Sequence, residues 1–260
     1  MRVALCISGQ PRNINRGVQN ILENMKFDFE VFVHAWWDST KNKSTFKKVL
    51  YNGVEDEVSE LVNNDWVGSL YDNFDINKIL IEKQLQLNVP EILEKRKLKF
   101  TNAFGVCSGM YSIYKCNELK KEYEKENSFE YDWVIRTRAD FGLSEPLNLS
   151  QFDNSIVYAP NDNNHNYGFN DQFAIGSSKN MNIYSDTFLY IKETIDSHNA
   201  GIKTAHYCDK PDNVGHEQIL QKHLENNEIK FELRILKTIY LEIRIKEQES
   251  IQLKIKGDRL

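Results

Sequence analysis

Arg136, Arg138 and Asp140 alternate at the end of the strand-like run Asp132 to Ile135, the most informative of the chain's strand ends. A strand continuing through them would put all three side chains on one face. Such a face is costly to bury unless its charges meet one another, an anionic ligand or a metal. Two readings follow: a buried structural ion pair, or two guanidiniums facing a diphosphate while Asp140 holds a bridging divalent cation. Oxygen ligands suit Mg²⁺ or Mn²⁺, which borrow further ligands from substrate phosphates.

Other polar groups follow apolar runs in the same way. Ser8-Gly9-Gln10-Pro11-Arg12 offers backbone N–H groups, a hydroxyl, an amide and a guanidinium, a set that holds nucleotides when it does not simply make a turn. It lacks G-x-G-x-x-G and G-x-x-x-x-G-K-[ST], so neither a dinucleotide fingerprint nor a P-loop is supported. His34 begins His-Ala-Trp-Trp-Asp, either as a hydrogen-bonded core residue or as the wall of a base pocket beside the first loop. Asn170, Asp171 and Gln172 offer both hydrogen-bond donors and acceptors, or form an Asx turn entering a strand. Glu217, after Gly215-His216, opens a helix where the macrodipole favours an acid.

These segments need a scaffold. Arg2 to Ile7 reads as a strand, Ile14 to Met25 as a helix with Asn13 as N-cap and Ile14, Val18, Ile21, Leu22 and Met25 inward, and Phe29 to Trp37 as a strand. Together they make a βαβ unit, whose strands are parallel. Residues 38–100 suggest one or two helices and a short strand. Ala103 to Glu126 is a long helix ending in a solvated Lys/Glu-rich half, before the strand Tyr131 to Arg136. Strands at Ser155 to Ala159 and Gln172 to Ile175 flank an Asn-rich loop, and Met181, Tyr184, Phe188, Ile191 and Ile195 mark one amphipathic helix. A polar loop from Ser197 to Gly215, a helix from His216 to Asn227 and late strands at Ile229 to Ile235 and Thr238 to Ile245 complete an α/β pattern without internal repeats.

The 260 residues suffice for a sizeable core, and 33 Lys+Arg against 38 Asp+Glu exclude a broad basic surface for nucleic acid. No run approaches the length of a transmembrane segment. The apolar start is too short for a secretory leader, so a cytoplasmic protein is expected. Cys6, Cys107, Cys116 and Cys208 lack C-x-x-C spacing and read as reduced core residues.

Val-Ala-Leu-Cys-Ile-Ser-Gly-Gln-Pro-Arg, Val-Phe-Val-His-Ala-Trp and Trp-Val-Ile-Arg-Thr-Arg-Ala-Asp together resemble GT-A-type glycosyltransferases, and among them bacterial and viral surface-polysaccharide transferases, including the WavE-like lipopolysaccharide-core group with its Lys/Arg-x-Arg-x-Asp motif. The similarity covers most of residues 1–235. It implies a Rossmann-like, mainly parallel sheet in a single domain over residues 1–245, with a nucleotide-sugar-binding half (1–140), an acceptor-binding half (141–245) and a polar tail (246–260). Ser8, Gly9, Gln10, Arg12, His34, Arg136, Arg138 and Asp140 would bind the donor, and Asn170, Gln172 and His216 a glycan or lipid-linked acceptor. Glu217, or else Asp171, would be the base of an inverting transfer. The family's Asp-x-Asp metal motif falls on Arg138-Ala139-Asp140, leaving Asp140 to ligate Mn²⁺ or Mg²⁺ unless Arg138 takes over part of the metal's role. Ser108, Gly109 or Tyr111 would lie near the donor sugar, and His206 would complete a metal site. A non-catalytic sugar-nucleotide or glycan-binding domain and a metal-dependent phosphoester hydrolase are the alternatives.

Overall fold

The computed structural model describes residues 1–38, 40, 43–47, 59–94, 103–161, 168–199, 215–234 and 238–240. Strand β1 (Val3–Gly9) is buried along nearly its whole length. A continuous apolar run of this kind belongs to a strand covered on both faces. Helix α1 (Ile14–Asn24) follows and buries Ile14, Val18 and Ile21 against Val3, Leu5 and Ile7. Asn13 precedes it in a left-handed backbone conformation (φ 50) without the expected side-chain cap, and Leu22 is exposed rather than inward. Strand β2 (Glu30–Trp36) pairs parallel to β1.

The next stretch holds more strand than its sequence suggests: β3 (Lys43–Lys47) and β4 (Ser59–Asn63), an antiparallel pair, then α2 (Trp66–Tyr71), β5 (Ile76–Glu82) and α3 (Glu91–Glu94). β5 lies at the sheet edge and is half-buried throughout, which explains its mixed polar and apolar pattern. Helix α4 (Ala103–Asn127) crosses the opposite face to reach β6 (Trp133–Thr137), whose chain turns into β7 (Phe141–Leu143). Strands β8 (Val157–Pro160) and β9 (Phe173–Gly176) come next.

The amphipathic stretch expected as one helix is three pieces: α5 (Ser178–Ser185), a 3₁₀ segment (Asp186–Tyr190) and α6 (Ile191–Asn199). At the break the Thr187 hydroxyl donates to the Tyr184 carbonyl, and the tighter winding carries Phe188 onto Tyr111 and Tyr114. Helix α7 (His216–Asn226) and strands β10 (Phe231–Arg234) and β11 (Thr238–Tyr240) finish the described chain. The expected continuation to Ile245, the 246–260 tail, His206, Cys208 and most of the Asn-rich loop lie outside the described residues.

The main sheet has the order β10-β8-β9-β6-β1-β2-β5, with β9 antiparallel to its neighbours and the remainder parallel. This is the mainly parallel α/β sheet that the sequence predicts. Cover on the α1 face leaves Val3, Leu5, Ile7, Val33 and Ile135 in one core. On the other face α4, α5 and α7 enclose Ala4, Cys6, Phe32 and Val134. Each fully buried aliphatic side chain contributes roughly 1.5–3 kcal/mol. The path leaves β1 through α1 toward β2 and returns through α4 to β6 on the other side of β1. That reversal opens a crevice at the carboxyl ends of β1 and β6, where an open α/β sheet takes its ligands.

Candidate functional site

At this crevice Asp140 is shared by two guanidiniums. Arg138 grips it in bidentate fashion, its Nε 2.7 Å from Oδ1 and its Nη2 bonded to Oδ2, while Arg12 Nη2 lies 2.8 Å from Oδ2. The carboxylate is only 3% exposed, whereas the two arginines keep 23% and 25% of their side chains accessible. The carboxylate that organises the group is thus covered, while both arginine side chains stay partly accessible. β6 ends at Thr137, so the expected single face of Arg136, Arg138 and Asp140 does not form. The turn after the strand lets Arg138 fold back on Asp140 instead.

Helix α1 sets this geometry. A Cβ on Gly17 would sit 2.1 Å from the Ala139 carbonyl oxygen, so only glycine lets α1 approach the Arg138-Ala139-Asp140 turn this closely. One helical turn on, the buried Asn20 amide donates to the Leu143 carbonyl and accepts from the Leu143 N–H, both at 2.8 Å, and so completes an end of β7. Arg12 lies two residues before α1 and Asp140 immediately precedes β7. Fixing helix to strand therefore fixes the ion pair.

Arg136 is placed differently. It points to the α4 face, 5% exposed, with Nε donating to Ser8 Oγ at 3.3 Å and Nη1 meeting no hydrogen-bond partner among the described residues. Burial pushes its guanidinium below the usual arginine range, against the opposing fields of Tyr184 and Asp171. It lies beneath the crevice and backs Ser8. Gly9, with φ 124, ends β1, and Gln10 is half-buried just beyond.

His34 is enclosed on both sides. Its Nδ1 lies 2.7 Å from Ser112 Oγ and its Nε2 3.0 Å from the Glu82 carboxylate. With Nε2 donating to the carboxylate, a neutral ring accepts the serine proton at Nδ1. Desolvation lowers the histidine pKa despite Glu82. Trp36 donates to the Ser108 carbonyl and stacks on Tyr111, and Gln84 donates to Ser108 Oγ. The structure therefore gives His34 the hydrogen-bonded core position. The sequence does not point to Ser112, Glu82 or Gln84, because β5 and α4 are distant from His34 along the chain and only their packing brings them to it.

The Asn170–Gln172 segment and the start of α7 adjoin. Phe169 N–H donates to the Glu217 carbonyl at 3.0 Å, and a Cβ on Gly168 (φ 155) would lie 2.5 Å from the Glu217 backbone. Asp171 and Glu217, the two candidate bases, are therefore on touching segments. The Asn170 Oδ1 accepts the Gln172 N–H, the expected Asx turn, leaving Asn170 Nδ2 and Gln172 Oε1 buried with no hydrogen-bond partner among the described residues. The Glu217 carboxylate folds back over Gly215, and His216 Nε2 donates to the Gly105 carbonyl of α4. Asp171 also lines a cavity with Met110, Ile113, Tyr184, Ser185, Thr187 and Leu220.

A divalent cation at Asp140, which the resemblance implies, does not fit this arrangement. Both carboxylate oxygens already accept guanidinium N–H groups, and almost no surface remains for a hydrated ion. An ion there would also face two positive charges, with repulsion of about 4 kcal/mol per pair of unit charges at 4 Å. Among the described residues, no group of three or more His, Cys, Asp or Glu converges to offer another ligand set.

Comparison with known proteins adds the following. A family model described as "Domain of unknown function (DUF7796)" matches residues 94–201, less than half of the chain. No curated protein matches. Among solved structures, the chain is similar to mouse xyloside xylosyltransferase 1 in its apo form, at 8% identity, over 90% of this chain and 84% of that one, with a TM-score of 0.45. No helix among the described residues is long and apolar enough to cross a membrane.

Proposed function

We propose that the protein is a GT-A-type glycosyltransferase that moves a sugar from a nucleoside-diphosphate donor to a hydroxyl of a glycan or lipid-linked acceptor in surface-glycan synthesis. The observation that carries this reading is the Arg12–Asp140–Arg138 group at the point where the strand order reverses. Two guanidiniums gathered on one carboxylate can offer N–H donors to the oxygens of a diphosphate. Ser8, Gly9 and Gln10 on the β1 loop would line the nucleotide, with Arg136 and His34 supporting them from beneath. A cytoplasmic setting suits both the donor class and the buried thiols of Cys6, Cys107 and Cys116.

In this mechanism Glu217, or failing it Asp171, accepts the proton of the acceptor hydroxyl while that oxygen forms its bond to the anomeric carbon. The bond from the anomeric carbon to the diphosphate oxygen breaks on the opposite face, and configuration inverts. Negative charge grows on the departing diphosphate, where Arg12 and Arg138 stabilise it more in the transition state than in the ground state. Asn170, Gln172 and His216 border the acceptor side of this arrangement.

Thermal denaturation with UDP-, GDP-, dTDP- and CMP-sugars tests the reading. A donor at about 100 times its Kd adds roughly 2.7 kcal/mol to the folded state. One nucleotide class should raise Tm selectively and be consumed with acceptor; no response from any class rejects the proposal. Selective binding without transfer or slow donor hydrolysis would favour a non-catalytic domain. Glu217→Gln should lower kcat at least a hundredfold with donor affinity retained. Normal turnover would move the base to Asp171.

A further inference from the structure

We infer that donor binding at this site does not depend on a metal, because the Arg12 and Arg138 guanidiniums occupy the carboxylate that would hold one. The inference rests on the proposed function and concerns the chemistry of the same site. Asp140 carries the only carboxylate at the Arg138-Ala139-Asp140 position where the resemblance implies a cation. Its Oδ1 accepts Arg138 Nε at 2.7 Å, and its Oδ2 accepts both Arg138 Nη2 and Arg12 Nη2. At 3% exposure it has no open side on which a six-coordinate ion with its waters can sit. An ion that reached it would have to break three charge-assisted hydrogen bonds and displace two cations.

This makes Asp140 a positioning residue. Its charge gathers two flexible guanidiniums on one carboxylate, so part of their ordering is complete before a diphosphate arrives. The turn that presents Asp140 is itself fixed by the close Gly17 contact and the Asn20 amide. What a cation would supply as neutralising charge, the arginines supply as oriented N–H donors. The balance of the reaction is unchanged: the anomeric carbon–oxygen bond breaks, and the electron pair leaves with the diphosphate.

The test is calorimetric titration of the full chain with pyrophosphate, UDP and GDP, once in EDTA and once in Mn²⁺, with Mn²⁺ alone followed by electron paramagnetic resonance. At least one diphosphate should bind with a Kd that agrees within about threefold between the two buffers, and Asp140→Asn should weaken it at least tenfold in both. Binding tenfold or more tighter in Mn²⁺, with a protein-bound Mn²⁺ signal that Asp140→Asn removes, overturns the inference while leaving the transferase reading intact. An Asp140→Asn variant that binds like the native chain overturns the positioning role. If no diphosphate binds in either buffer, the inference and the proposed function fall together. Should Asp140→Asn fail to fold, the comparison of buffers on the native chain still decides whether a metal is needed.

Discussion

Two ionic groups lie at opposite ends of the sheet, and they differ in how completely they are closed. At the amino end of β6, Lys120 and Glu124 of α4 are both buried and 2.9 Å apart. Lys120 also donates to Ser178 Oγ and Asn182 Oδ1, while Glu124 accepts from Ser178 Oγ and the Tyr131 N–H. All three ammonium donors are therefore used. At the carboxyl end, Asp140 is equally buried but its two arginines are not. A closed network fixes α4 and α5 to the sheet; the half-open one leaves its two arginines partly accessible. The difference separates a buried ion pair built for structure from one that can receive an anion.

The largest expected effect is at the closed network. Lys120→Ala leaves Glu124 buried without its cation and should cost about 3–5 kcal/mol in urea denaturation. The paired change Lys120→Met with Glu124→Leu should recover most of that loss, because it removes both charges; failure to recover would mean the network does more than satisfy itself. Gly17→Ala comes next, since its Cβ collides with the Ala139 carbonyl. Overpacking of this kind costs about 1–3 kcal/mol, and here it should also weaken diphosphate binding by displacing the Asp140 turn.

Arg138→Ala should reverse the pattern. Its loss should lower stability less than Lys120→Ala does, because Arg12 still pairs with the buried Asp140, while diphosphate affinity, measured by calorimetry, drops tenfold or more. An equal loss in stability and binding would erase the distinction between the two groups.

The smallest effect is in pH dependence. His34 and His223 both have pKa values lowered from 6.5, chiefly by desolvation. Below that pH the unfolded chain takes up protons that the folded chain refuses, so stability should fall with acidification through and below about pH 6.5. His34→Gln should flatten part of that fall, and an unchanged slope would remove His34 as a source.

Legibility of the fold followed burial. β1, β2 and β6 are covered on both faces, and their apolar runs announce them within a residue or two. β5 at the edge is half-covered and its pattern is correspondingly weak. The far half of α4 illustrates the opposite error. Its Lys/Glu pattern suggests a solvated face, yet Lys120 and Glu124 are buried, because their i,i+4 pairing is the same whether water or α5 lies beside it. Likewise, Met181 to Ile195 keeps helical spacing across a 3₁₀ break caused by one threonine hydroxyl and the packing of Phe188.

By itself, then, the sequence determined the alternation of buried strands and helices, the loops that follow the strands, and the charged residues at their ends. These are properties of local hydrophobic period and residue type, which neighbours along the chain suffice to define. Only the tertiary structure decided which charges meet. Asp140 joins Arg12 across 128 residues, His34 turns its ring to Ser112 and Glu82, and Arg136 passes beneath the site rather than into it. Those choices depend on strand order and on the close approach of α1 at Gly17, and long-range packing of that kind leaves no periodic trace in the chain.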